Sequence, residues 1–188
     1  MGDSVQTSQP ITSDDTDVKT EYLEMSDPMY DKIENAIRET YTNSCIIWIE
    51  KIHNPQLKLE FNTYYKTLSE PNIKMLFHGT NSKIARIIIS EGFDSSKNKV
   101  SAHGLGTYFS TRAVYSKQYC TKLKDEDYSL MLICAVATGK FCQGIANKPI
   151  PDGYDSAVDI VRKPDMYIVN KRCAALPTYL VAFYMNAT

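Results

Sequence analysis

The sequence predicts an α+β domain built on a mixed, mostly antiparallel sheet with flanking helices. Three observations point there. At 188 residues the chain has the size of one domain with its own core, since compact domains run to about 100–200 residues. Helical and strand patterns follow one another without the regular alternation of a doubly wound sheet. No segment repeats at a fixed period.

Taken in order, the ordered part is expected to begin at Ser26-Asp27-Pro28, where Asp27 is positioned to cap a helix and Pro28 to fill its first turn. Met29, Tyr30, Ile33, Ala36 and Ile37 then recur at helical spacing through Glu39. The run from Cys45 to Ile52 is β-branched, aromatic and short, which is the pattern of a buried strand. Asn54-Pro55 repeats the cap-plus-proline signal, and Leu57, Phe61, Tyr64 or Tyr65, and Leu68 give a second amphipathic helix that Pro71 stops. A strand from Ile73 to Phe77 ends at His78-Gly79-Thr80 and is followed by a third helix carrying Ile84, Ile87 and Ile88, with Gly92 as its stop. Residues 93–106 are polar and read as a long loop. Beyond it the pattern gives a short strand at 107–109, a helix near 112–119, a strong strand over 128–138, a loop around 143–156, and strands at 157–162, 166–170 and 178–184.

The net charge of −1 conceals an asymmetry. Residues 1–27 carry seven acidic side chains against Lys19 alone, and the rest carries twenty basic against fifteen acidic. The acidic segment has no apolar periodicity to offset the entropy of ordering, so residues 1–27 are expected to be a flexible tail and residues 28–188 the folded domain. A moderate excess of positive charge suits an anionic ligand such as a dinucleotide but falls short of a nucleic-acid-binding surface. No run approaches the roughly 20 apolar residues that cross a bilayer, and no basic start with an apolar stretch marks a signal peptide, so an intracellular protein with no membrane partner is expected, cytoplasmic or nuclear. Five scattered cysteines, odd in number and without a Cys-x-x-Cys pair, fit reduced thiols better than disulfides or zinc, and no metal is expected.

Individually the candidate chemical groups are weak. His78 beside Gly79 reads most simply as a satisfied histidine in a turn. Gly104-Leu105-Gly106 resembles the beginning of a dinucleotide fingerprint, yet the third glycine and the preceding long strand are missing. Ser116 and Tyr119 lie three apart on a helix and share a face, an arrangement equally compatible with core packing. Their company changes the reading. A glycine pair leads into Tyr108, and a hydroxyl and aromatic rings on one side suit an aromatic amide held by hydrogen bonding and stacking.

Leu76-Phe77-His78-Gly79-Thr80, then Glu91-Gly92-Phe93, Gly104-Leu105-Gly106-Thr107-Tyr108-Phe109, Tyr115-Ser116-Lys117-Gln118-Tyr119, Tyr154-Asp155-Ser156-Ala157-Val158-Asp159 and Met166-Tyr167-Ile168-Val169 closely resemble, in order and spacing, the catalytic domain of the poly(ADP-ribose) polymerase (PARP) family. The resemblance runs from about residue 28 to residue 184. It implies the diphtheria-toxin-like ADP-ribosyltransferase fold with its split sheet, and NAD as co-substrate with no metal. It further implies that His78 and Thr80 bind the adenosine-side ribose, and that the Gly79 backbone and the Ser116 hydroxyl hold the nicotinamide amide. Tyr108 and Tyr119 are then expected to sandwich the nicotinamide ring. Loop 93–106 matches the family's donor loop, with Ser95, Ser96 and His103 as open candidates for contacts.

One position departs. Polymerising members carry a glutamate immediately before the Tyr-Ile-Val strand, and here that position is Met166. A thioether is a weak acceptor and no base. The resemblance therefore implies the mono-ADP-ribosylating branch, transferring a single ADP-ribose to a protein, the chain itself included, with release of nicotinamide. A nucleic-acid acceptor has no support beyond the charge. The alternative is a weak or inactive pseudoenzyme that binds NAD or ADP-ribose and serves as an interaction module. The length leaves no room for the helical regulatory subdomain or targeting modules of larger relatives, which are expected to be absent.

Overall fold

Asp27 accepts from the Met29 amide at 2.8 Å and Pro28 follows it, so helix α1 begins where the cap signal stands and spans Pro28–Arg38. Asn54 accepts from the Leu57 amide at 3.0 Å and opens α2, Pro55–Tyr65. Asn81 accepts from Ile84 at 2.8 Å and opens α3, Ser82–Glu91, which ends on Gly92 at φ 81°, a left-handed conformation that favours glycine. The short α4, Ala113–Lys117, has no side-chain cap. The structure is a computed structural model in which residues 17–97 and 101–184 are described.

Nine strands form one sheet in the order β1-β2-β9-β5-β3-β4-β8-β7-β6. They are β1 Lys19–Tyr22, β2 Cys45–His53, β3 Ile73–Gly79, β4 Thr107–Ser110, β5 Ser129–Ala137, β6 Phe141–Gln143, β7 Ser156–Val158, β8 Met166–Val169 and β9 Ala175–Tyr184. Every pairing is antiparallel except β6 with β7. The sheet is split at its middle. β3 pairs with β5 from Ile73↔Ala137 to Gly79↔Met131, yet meets β4 through the single pair Phe77↔Ser110. Beyond that pair the ladder opens, and the ends of the two half-sheets diverge around His78, Gly79 and Tyr108.

Side chains alternate across the strands, so each half of a strand's apolar set feeds a different layer. Leu76, Leu132 and Leu180 pack with Phe61 and Tyr64 of α2 and with Ala85, Ile88 and Ile89 of α3. Their neighbours Phe77, Ile133 and Val181 pack with Tyr30, Ile33 and Ile37 of α1 and Ala113 of α4. Helices thus cover both faces of the sheet.

Several elements differ from expectation. Residues 19–22, placed in a flexible tail, form β1, in register from Lys19↔His53 to Tyr22↔Glu50. All four are exposed, so no burial pattern marks them; the backbone ladder and the edge-on contact of Tyr22 with Trp48 at 5.8 Å hold the strand. The part of that expectation covering residues 1–16 lies outside the described residues. The segment 157–162 is strand only through Val158, because Asp159 turns inward to accept the amides of Asp165 and Met166 at 3.1 and 3.0 Å. β9 starts at Ala175, before Pro177, because a register shift opposite Ile133/Cys134 accommodates the proline. On α3, Ile88 is buried whereas Ile84 and Ile87 remain exposed.

Candidate functional site

Where the half-sheets part lies a cavity of about 550 Å³, within the range of small-molecule sites. The end of β3 gives it His78 and Gly79, and Thr80 follows; α3 gives Ile84, Ile87, Ile88 and Glu91; Thr107, Tyr108, Tyr115 and Tyr119 line another wall; Gly92, Phe93, Asp94, Ser95, Lys97, Asn170 and Arg172 complete the lining.

His78 is fixed on every side. Its Nδ1 lies 2.8 Å from the Tyr108 carbonyl, which only accepts, so this nitrogen carries the proton. In effect the imidazole takes the carbonyl that a longer β3–β4 ladder would have used. Its ring meets Phe93 edge-on at 5.1 Å and Phe109 at 5.4 Å. Burial pushes its pKa below the usual histidine value, against a smaller upward effect of the Tyr108 bond. Near neutral pH the ring is uncharged, and Nε2 is left as a hydrogen-bond acceptor.

Gly79 is demanded by contact. A Cβ there would overlap the Ser116 carbonyl oxygen, so only glycine allows α4 to lie this close to β3. The Ser116 hydroxyl is buried and donates to the Phe77 carbonyl at 3.0 Å, securing that approach from the other side. Ser116, expected beside a ligand amide, does not itself line the cavity.

The Tyr108 hydroxyl donates to the Gly104 carbonyl at 2.8 Å and accepts from the His103 amide at 2.9 Å. Its polar tip therefore fastens the glycine loop while its body borders the cavity. Gly106 at φ 158° approaches Val169 so closely that a Cβ would sit 2.6 Å from its carbonyl oxygen. That contact seats the loop on β8. His103 serves the loop through its amide, whereas Ser95 lines the cavity and donates to the Asn170 carbonyl at 3.0 Å. Ser96 donates to Asp94 and, with Lys97 at 3.4 Å, holds that carboxyl below the usual carboxylate range.

Tyr115 and Arg172 are lining residues to which the sequence reading gave no role. Tyr115 stands one turn from Tyr119, hydroxyl to hydroxyl at 3.3 Å, and burial together with that bond pushes its pKa up to about 12. The i, i+4 spacing was a signal for this pair. Arg172 follows β8 in a 3-10 turn, Arg172–Ala174, and reaches Glu60 at 3.2 Å. No local pattern points to it.

Met166 pairs with Ser110 of β4 and is half-buried, but it is not among the lining residues. Glu91 and Asp94 are the carboxylates that are. Among the described residues no group of His, Cys, Asp and Glu is placed to hold a metal ion, and no helix is long and apolar enough to cross a membrane. Burial pushes the Cys120 thiol up to about 12 and raises Cys134 as well.

Against this geometry, residues 28–163 match the model of the poly(ADP-ribose) polymerase catalytic domain. The chain is 30% identical over 176 residues to protein mono-ADP-ribosyltransferase PARP14 of Homo sapiens, covering 84% of this chain and 10% of that protein. It is 30% identical over 165 residues to a probable poly [ADP-ribose] polymerase of Dictyostelium discoideum, covering 80% and 48%. Protein mono-ADP-ribosyltransferase PARP10 of Mus musculus is 28% identical over 153 residues, covering 72% and 16%. The chain thus spans at most about half the length of these relatives.

Proposed function

The chain belongs to the poly(ADP-ribose) polymerase catalytic-domain family, and from that premise we propose that it transfers a single ADP-ribose from NAD to a protein acceptor, releasing nicotinamide. The observation that carries this reading is the convergence of His78, Gly79, Thr80, Tyr108 and Tyr119 on one cavity.

In this reading the neutral His78 accepts a ribose hydroxyl proton at Nε2, and Thr80 stands beside it. The Gly79 backbone and the Tyr108 and Tyr119 rings receive the nicotinamide end, with Ser116 keeping α4 against β3. The nicotinamide of NAD is already cationic, so cleavage of its bond to ribose returns the electron pair to the ring nitrogen and leaves an oxocarbenium-like sugar. The acceptor's nucleophile then attacks that carbon and gives up its proton. Binding energy from the adenosine half supplies the strain at the reacting end. Met166 offers no carboxylate to activate a second sugar hydroxyl, which supports transfer of one unit rather than a chain.

A second reading follows from the same position. With no carboxylate at residue 166, the protein binds NAD or ADP-ribose without transferring it. The two separate on a gel with radiolabelled NAD. Transfer gives one discrete labelled product, abolished in His78→Ala and lengthened in Met166→Glu. The binding-only reading gives thermal stabilisation by NAD and no label. Absence of both stabilisation and label overturns either form.

A further inference from the structure

We propose that Arg172 binds the diphosphate of the dinucleotide, a contact that rests on the NAD-site reading above. Its stem runs across Gly92: a Cβ at Gly92 would sit 3.1 Å from the Arg172 Nε and 3.4 Å from its Cγ. This close crossing places Arg172, which follows β8, among the residues that line the cavity. One Arg172 nitrogen donates to Glu60 Oε1 at 3.2 Å, and the same oxygen accepts from Gln56 at 2.9 Å. Among the described residues no other acceptor engages the guanidinium. A guanidinium carries five N–H donors in a planar fork suited to phosphate oxygens, so most of its capacity is available.

The other lining cation is Lys97, a point charge 3.4 Å from Asp94 and more exposed than Arg172, 71% against 50%. Lys97 is already balanced within its own turn and gives no bidentate geometry. Glu60 and Gln56, both on α2, aim Arg172 from outside the cavity. The opposing account is that Arg172 merely latches the turn to α2, since a half-exposed ion pair contributes little by itself. The two accounts differ in which ligands they affect.

Dissociation constants for ADP-ribose and for nicotinamide, measured by calorimetry on wild type, Arg172→Gln, Arg172→Lys and Glu60→Gln, decide between them. Arg172→Gln is expected to weaken ADP-ribose about tenfold or more, the scale of a lost charge-assisted contact, and to leave nicotinamide within about twofold. Arg172→Lys is expected to recover part of the loss, and Glu60→Gln to retain most of the ADP-ribose affinity. The proposal is overturned if Arg172→Gln leaves ADP-ribose binding unchanged, if it weakens both ligands alike, or if Glu60→Gln is as damaging. Wild-type protein that binds neither ligand overturns the dinucleotide reading itself, which is distinct from failure of the Arg172 contact alone.

Discussion

On one wall of the cavity His78 donates to a backbone carbonyl at 2.8 Å and packs against two phenylalanine rings, whereas on another Arg172 is half exposed and leans on Glu60 at 3.2 Å. The first wall is made by folding itself. Gly79 admits α4, Ser116 bonds to β3, and Tyr108 ties the glycine loop, so the geometry exists before any ligand arrives and binding need not pay to create it. The second wall consists of side chains in ion pairs that water competes for, and it is free to rearrange around a charged ligand. On the proposed reading, the preorganised wall fixes the nicotinamide-ribose end of NAD in one pose, and the exposed cations adapt to its flexible anionic part.

The largest way to break this contrast is Gly79→Ala. The new methyl meets the Ser116 backbone, which has no rotamer to yield, and the expected cost is on the order of 3 kcal/mol. A denaturant midpoint equal to wild type would mean that α4 is not held against β3. Next is Ser116→Ala, which removes a buried hydroxyl bonded to the Phe77 carbonyl. It is expected to cost about 1–2 kcal/mol in urea unfolding and to weaken NAD binding, although the side chain does not line the cavity.

A smaller effect comes from pH. The folded-state pKa of His78 lies below its ordinary value of 6.5, so the unfolded chain takes up this proton first. Stability is whole above pH 6.5 and falls as the pH drops from there toward the folded-state pKa. In His78→Gln that segment of the stability–pH curve is expected to flatten. The smallest effect belongs to the exposed wall. Lys97→Met removes the ion pair with Asp94 and is expected to leave the thermal midpoint within about 2 °C. A larger drop there would erase the distinction between the walls.

Helices α1, α2 and α3 were legible because each has a local cause: Asp27, Asn54 and Asn81 cap them, and apolar residues recur at helical spacing. β5 was legible because it is buried on both faces. β1 was not, since an exposed edge strand leaves no burial pattern and depends on a partner in register. The apolar stripe of α3 is plain in the sequence but not what covers it: Ile88 joins the core, whereas Ile84 and Ile87 stay exposed and border the cavity. Among the candidate site residues, His78, Gly79, Thr80, Tyr108 and Tyr119 were visible through motif spacing, and they do line one cavity. Ser116 and Met166 are not among its lining residues, whereas Tyr115 and Arg172, to which the sequence reading gave no role, are.

The sequence by itself determined most of the element types, the α+β class with a mostly antiparallel sheet, the family resemblance and the absence of a carboxylate at residue 166. These are local or composition-borne, set by spacing, caps and residue chemistry. Only the tertiary structure decided that the sheet opens after Phe77↔Ser110, that the Ser116 hydroxyl is used within the protein, and that Arg172 crosses Gly92 to reach the cavity. Each of those joins residues distant in sequence, and which of them meet is set by register and close packing rather than by any pattern along the chain.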